Sequence, residues 1–258
     1  MPAAPRCCVA FATLLAVLSP AQAGGACSAS SGPGTATLVE LFTSEGCSSC
    51  PPADRWLSGL KDVTGVVPLA FHVDYWDHLG WPDRFASPAY AARQREKSRA
   101  AGTSVVYTPQ VRVDGRDFRS WGSTGAFQKA AQEAGARASG AEITISAQAL
   151  AGGVLRVHLV SRLQDRAPGT PAAYLALYEN GHSSEVRAGE NRGARLAHDY
   201  VVRSWLGPFS FPADGRLELN QELRAGVDPS RAGIAAVVET PGAVLQALAL
   251  PLGAPGCR

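Results

Sequence analysis

The chain has 258 residues, 46% of them hydrophobic and 18% charged, and a formal net charge of +2. That is an ordinary globular balance, long enough for a sizeable core in one large domain or two small ones. No run of like charges occurs anywhere, which excludes the basic stripe of a nucleic-acid binder. Arg93, Arg95, Lys97 and Arg99 alternate with Gln94, Glu96 and Ser98 and read as the solvated face of a helix.

The first residues read as a signal peptide. Arg6 provides a positive start. Val9 to Leu18 is apolar but too short to cross a bilayer, Pro20 breaks it, and Ala21-Gln22-Ala23 matches the small-x-small cleavage rule. Cleavage is expected after Ala23. Gly24, Gly25 and Ala26 precede Cys27 with no Leu at the usual position, which disfavours acylation there. No later apolar stretch is long enough to span a membrane, so a periplasmic or secreted protein without a membrane span is expected.

In chain order, Thr37 to Phe42 reads as a buried strand, and Cys47 as the opening of a helix through Leu60. Val66 to Val73 is a second strand, followed by an aromatic irregular stretch to Ser87. Ala89 to Ala101 is a helix. Gln110 to Val113 and Asp117 to Ser120 form a hairpin around Asp114-Gly115. Thr124 to Ala134 is a third helix. Beyond Ala136 to Gly140 the pattern changes to short strands: 142–147, 154–160, 172–179, 198–206, 216–220, 233–239 and 244–250. The reading is therefore an α/β domain over 24–138 and a β-rich, sandwich-like domain over 139–258.

Six cysteines are encoded, and Cys7 and Cys8 leave with the signal. An exported protein can hold disulfides among the remaining four. Cys27 and Cys257 lie near the two ends of the mature chain and are the natural leftover pair. A bond closing so long a loop is worth about 5 kcal/mol by the chain-entropy model.

Cys47-Ser48-Ser49-Cys50 carries the chemistry. A C-x-x-C after a buried strand and at a helix start places the first sulfur where unpaired N–H groups favour a thiolate, with the second in reach of a mixed disulfide. Cys47 is then the nucleophile and Cys50 the resolver. Zinc would need a second ligand pair and haem attachment a His after the second Cys, where Pro51 stands. A structural bond remains the competing reading. Pro51 and Pro52 suit an early helix, although Pro51 disfavours helical geometry at Cys50. Thr108-Pro109 stands in a short loop before the hairpin, the place a cis-proline loop takes opposite the cysteine pair in thioredoxin-fold enzymes, where a partner peptide can pair edge-on; an ordinary trans-proline at a strand start is the competing reading.

Four segments in order, VELFTSEGCSSCPPAD at 39–54, FHVDYWDHLGW at 71–81, YTPQVRVDG at 107–115 and GENRG at 189–193, closely resemble a bacterial family of exported proteins of unknown function with a thioredoxin-like fold. The resemblance spans nearly the whole mature chain. It implies a thioredoxin-like half followed by a β-rich half, and no established reaction. Against thioredoxin proper, Gly46 replaces a tryptophan, Ser48-Ser49 replaces Gly-Pro, and the 74–106 segment is longer.

Trp76, Thr108 and Glu40 are candidates for the groove beside Cys47, although a buried Glu40 would need a cation. His72 and Asp74 share a strand face and, with the two thiolates, form an alternative copper or zinc site. Gly189 to Gly193, with Arg195, His198 and Arg203, reads as a polar turn reaching the first domain. The expected activity is extracytoplasmic thiol–disulfide exchange with protein thiols or disulfides through Cys47, Cys50 and Pro109. It needs no diffusible cofactor. The alternatives are a copper-binding protein and a non-enzymatic binding module.

Overall fold

In a computed structural model of the chain, residues 26–61, 63–164, 169–224, 226–254 and 257 are described, together with Met1. The signal-peptide reading of 1–23 lies outside the described residues, apart from Met1.

The elements follow the chain. Strand β1 (Cys27–Ser30) precedes β2 (Thr37–Thr43), α1 (Pro51–Ser58), β3 (Val66–His72), α2 (Pro88–Ala100), β4 (Gln110–Val113), β5 (Arg116–Asp117) and α3 (Thr124–Ala136). Nine strands complete the described chain: β6 (Ala141–Leu150), β7 (Val154–Leu163), β8 (Ala172–Glu179), β9 (His182–Glu185), β10 (Arg195–His198), β11 (Val201–Ser210), β12 (Arg216–Arg224), β13 (Ala232–Thr240) and β14 (Ala243–Pro251). The expected strand 198–206 is thus two elements, β10 and β11. The return strand of the β4–β5 hairpin is only two residues long.

The expectation of an α/β thioredoxin-like domain followed by a separate β-rich domain is corrected here. The protein is β-rich throughout, with three α-helices against fourteen strands among the described residues. One eight-stranded sheet, in the order β14-β13-β8-β11-β3-β2-β4-β5, draws strands from both sides of residue 138. The physical reason is the edge of β3. Its backbone groups are buried and need partners. Strand β11 supplies them, pairing parallel at Val201 opposite Ala70, with the Ala70 N–H donating to the Tyr200 carbonyl at 2.8 Å.

Two cores flank this sheet, and side-chain alternation along the strands decides which residue enters which. Leu175, Leu177, Ile234, Ala236 and Val238 face one core, closed by a second sheet in the order β1-β6-β7-β12. Ala176, Tyr178, Ala235 and Val237 belong to the other, a cluster that also includes Leu41, Phe42, Phe71 and residues of the helices. Strand β2 is buried along its whole length, as a continuous apolar run on both faces predicts. Strands β6 and β7 alternate instead, one face in the core and one towards solvent.

Helix α2 corrects a second expectation. Arg95 and Arg99 are exposed, but Arg93 and Lys97 are buried. Arg93 donates through Nε to Glu40 at 2.7 Å and through its terminal nitrogens to Glu239 at 3.1 and 3.2 Å, and Lys97 pairs with Glu239 at 2.6 Å. The guanidinium also lies 4.1 Å from the Trp205 ring centroid. Positions 93 and 97 fall one turn apart on the helix face that meets the sheet, so both cations are drawn to the carboxylates of β2 and β13.

Candidate functional site

Strand β2 ends at Thr43, and a tight turn follows. Gly46 N–H donates to Ser44 Oγ at 3.1 Å, Cys47 N–H to the Ser44 carbonyl at 3.1 Å, and Cys50 N–H to the Cys47 carbonyl at 3.2 Å. Cys47 and Cys50 are joined by a disulfide. The helix does not open at Cys47: α1 begins at Pro51, with Cys50 as its N-cap. Prolines at the first two helical positions leave no N–H groups there, so the cysteines face a helix end with fewer free donors than the motif alone suggests. Cys50 nonetheless takes helical dihedrals (φ −76, ψ −38) ahead of Pro51.

Ser48 and Ser49 are exposed, while Cys47 and Cys50 are fully buried. Trp76 packs beside the turn, where a side chain on Gly46 would come within 3.0 Å of its Cβ. Its indole N–H donates to Thr108 Oγ1 at 2.8 Å. The Thr108–Pro109 bond is cis, and the Thr108 carbonyl accepts from Ser49 Oγ at 3.5 Å. Trp76, Thr108 and the cysteine turn therefore share one wall of the site.

The other wall comes from the second half of the chain. Strands β9 and β10 form a hairpin whose tip is the Gly189–Gly193 turn. Glu190 Oε2 accepts from Ser48 N–H at 3.0 Å and from Ser48 Oγ at 2.7 Å, and Asn191 Nδ2 donates to the carbonyls of Glu45 and Cys47. The expected contact of this turn with the first half is made directly on the cysteines.

Behind the turn lies a buried ionisable cluster. His72 Nδ1 and Asp83 Oδ2 are 2.6 Å apart, with both side chains fully buried. Burial opposes the charge on Asp83, but the His72 charge, its hydrogen bond and the backbone N–H groups of Glu45 and Phe85 outweigh it, holding the carboxyl down to about 2. Burial likewise opposes the charge on His72, and the same carboxylate outweighs it and raises the imidazole. The His198 ring stacks edge-on at 4.9 Å from His72. His198 Nε2 lies 3.4 Å from Glu45 Oε1, and Nδ1 lies 3.9 Å from Asp54 Oδ2. At these distances neither nitrogen is aligned for a hydrogen bond. Both His198 nitrogens, His72 Nε2 and Glu45 Oε1 have no hydrogen-bond partner among the described residues.

Asp54 and Glu45 shift in opposite directions. Burial raises Asp54 despite the nearby histidines. Burial also pushes Glu45 up, but His198, Ser184 and the Trp81 indole, which donates at 2.7 Å, bring it below the usual range.

Cys27 and Cys257 are bonded to each other. Two candidates are not where the sequence suggested. Glu40 is fully buried on Arg93, inside the core rather than in the groove. His72 is committed to Asp83, and Asp74 is half-buried apart from it. No group of three His, Cys, Asp or Glu side chains among the described residues is placed to hold a metal ion. Glu45 and Asp83 were not recognisable as site residues, because they lie on separate segments with only the Glu45 position beside Cys47 as a local signal. Glu190, Asn191 and His198 read from sequence as part of a polar turn reaching the first domain, but not as residues packed on the cysteine turn.

No helix among the described residues is long and apolar enough to cross a membrane. The two disulfides suggest an oxidising compartment.

No curated protein matches the chain. Among solved structures it is similar to protein AGR_C_4864 from Agrobacterium tumefaciens, with 27% identity over 87% of this chain and 97% of that one and a TM-score of 0.61. It is also similar to HBP35 of Porphyromonas gingivalis, with 14% identity over 84% of this chain and 75% of that one and a TM-score of 0.64, a likeness of fold alone. The family model described as "Protein of unknown function (DUF1223)" matches residues 38–239, from β2 through the site to β13. The chain belongs to the DUF1223 family.

Proposed function

We propose that the protein is an exported thiol–disulfide oxidoreductase acting through Cys47 and Cys50 on protein thiols or disulfides. The observation that carries this reading is the ionisable cluster of Glu45, Asp54, His72, Asp83 and His198 packed behind a disulfide of only four residues. Buried charges are costly and concentrate where chemistry uses them. Stability alone gives little reason for the bond. With a sequence separation of 3, it adds about 2 kcal/mol by the chain-entropy model, against about 5 kcal/mol for Cys27–Cys257 at a separation of 230.

In this reading a partner sulfur exchanges at Cys47, Cys50 resolves, and the Thr108–Pro109 loop and Trp76 flank the incoming chain. Both sulfurs lie under Ser48, Ser49 and the hairpin tip, so exchange requires the tip to leave the turn. That same burial favours a second reading, in which the bond is structural and the fold serves as a binding scaffold.

A glutathione redox titration of the full mature chain, with thiol trapping and intact mass, separates the two. Equilibration between about −270 and about −120 mV, the span of exchange enzymes, supports the oxidoreductase. Resistance to reduction below about −300 mV, the range of structural bonds, overturns it.

A further inference from the structure

Resolving a mixed disulfide at Cys47 requires Cys50 to react as a thiolate. Cys50 is fully buried, so its proton needs an acceptor inside the fold. Cys50 has helical dihedrals, and the Asp54 N–H donates to the Cys50 carbonyl at 3.1 Å, the helical i to i−4 bond. Residues so spaced stack on one helix face, with Cβ atoms about 6 Å apart. Asp54 is itself buried, and no other ionisable side chain of α1 lies on that face: Arg55 points to solvent.

We propose that Asp54 is the proton acceptor for Cys50 and that His198, whose Nδ1 reaches in from β10 to 3.9 Å from the carboxylate, is the positioning residue beside it. The inference rests on the oxidoreductase reading above and deepens it. In the resolving step the Cys50 S–H bond breaks and its proton passes to an Asp54 carboxylate oxygen. The freed electron pair on Cys50 forms the bond to Cys47. The pair of the Cys47–partner bond leaves on the partner sulfur, which takes a proton from solvent. Cys50 is oxidised and the partner sulfur reduced. In the reverse direction the protonated Asp54 returns the proton to Cys50.

The surroundings of Asp54 suit this role. Facing it are His198 from β10, His72 and the Thr43 hydroxyl from the adjoining strands β3 and β2, and Asp83 from the loop before α2. Glu45 faces His198 from the cysteine turn. Burial shifts the carboxyl towards its protonated form, while the two imidazoles keep the ionised form accessible. A carboxyl raised by burial takes up a proton more readily than an exposed one, which suits an acceptor. Neither His198 nitrogen has a hydrogen-bond partner among the described residues.

The test uses the full mature chain and glutathione as the probe. The reduced protein is mixed with oxidised glutathione. Mixed-disulfide formation at Cys47 and the later release of glutathione by Cys50 are timed by acid quench and intact mass, from about pH 6 to about pH 8. In Asp54→Asn, formation is expected at the wild-type rate, which also reports an intact fold. Release should slow about a hundredfold and steepen to about tenfold per pH unit, as the proton then goes to hydroxide. Asp54→Glu should recover most of the rate. His198→Asn should shift the pH midpoint of release without abolishing it. Release from Asp54→Asn at the wild-type rate and pH profile would overturn the inference and leave the oxidoreductase reading standing. So would an Asp54→Glu variant as slow as Asp54→Asn. If the wild-type chain forms no mixed disulfide, both fall together.

Discussion

Asn191, at the tip of the β9–β10 hairpin, donates from its side-chain amide to the Glu45 carbonyl at 2.8 Å and the Cys47 carbonyl at 2.9 Å. A side-chain amide has two donors, and both are spent on the cysteine turn. Glu190 beside it holds Ser48. The cover over the disulfide is thus three polar contacts to backbone and one to a hydroxyl, a closure that breaks without disturbing either core.

Replacing Asn191 with Ala should therefore loosen the cover more than the fold. Two lost hydrogen bonds to neutral carbonyls cost about 2 kcal/mol together. Reduction of Cys47–Cys50 by dithiothreitol should accelerate severalfold, read by thiol trapping against time. An unchanged rate would show that the hairpin tip is not what shields the sulfurs.

Arg93 holds the centre of the large sheet. Arg93→Leu leaves Glu40 and Glu239 buried with only Lys97 to serve them. Breaking a buried pair from one side costs about 3 to 5 kcal/mol. The denaturant midpoint should fall accordingly, while an Arg95→Leu control on the exposed face should leave it nearly unchanged.

The double replacement Cys27→Ala and Cys257→Ala should lower unfolding free energy by up to about 5 kcal/mol. Equilibrium denaturation measures it. The glutathione titration of Cys47–Cys50 should be unaffected, because β1 and the C-terminal segment lie against the core between the two sheets, away from the cysteine turn.

The His72–Asp83 pair gives stability a defined pH window. Asp83 is held down to about 2, so its contribution is present above the ordinary value of about 4 and is lost as pH falls towards 2. His72 is raised, so its contribution is present below the ordinary value of about 6.5 and is lost as pH climbs through the folded one. The stability difference between wild type and Asp83→Asn should be greatest between about pH 4 and about pH 6.5. It should shrink by about 2 kcal/mol on acidification to about pH 2. Denaturation midpoints across that range check it. A difference that stays constant with pH would show that the pair adds no charge-dependent stability.

Local sequence determined a good part of this protein. The strand cores at 37–42, 66–72, 110–113 and 172–179 were legible because continuous or alternating apolar runs have one way to be buried. The cysteine spacing and the Thr108-Pro109 loop were legible because they depend on residue type and position alone, whereas Cys27 and Cys257 were a pair only by being left over, and the structure decided their bond. What only the tertiary structure decided was how the pieces join. The free edge of β3 needed hydrogen-bond partners, and β11 filled it, which merged two expected domains into one sheet. That pairing carries His198 beneath the cysteine turn and Asn191 over it, across more than a hundred residues of sequence. It also turns Arg93 and Lys97, a solvated stripe by pattern, towards Glu40 and Glu239. Periodicity reports which side of a helix is distinctive, but not whether a charge on that side finds an opposite charge inside the fold.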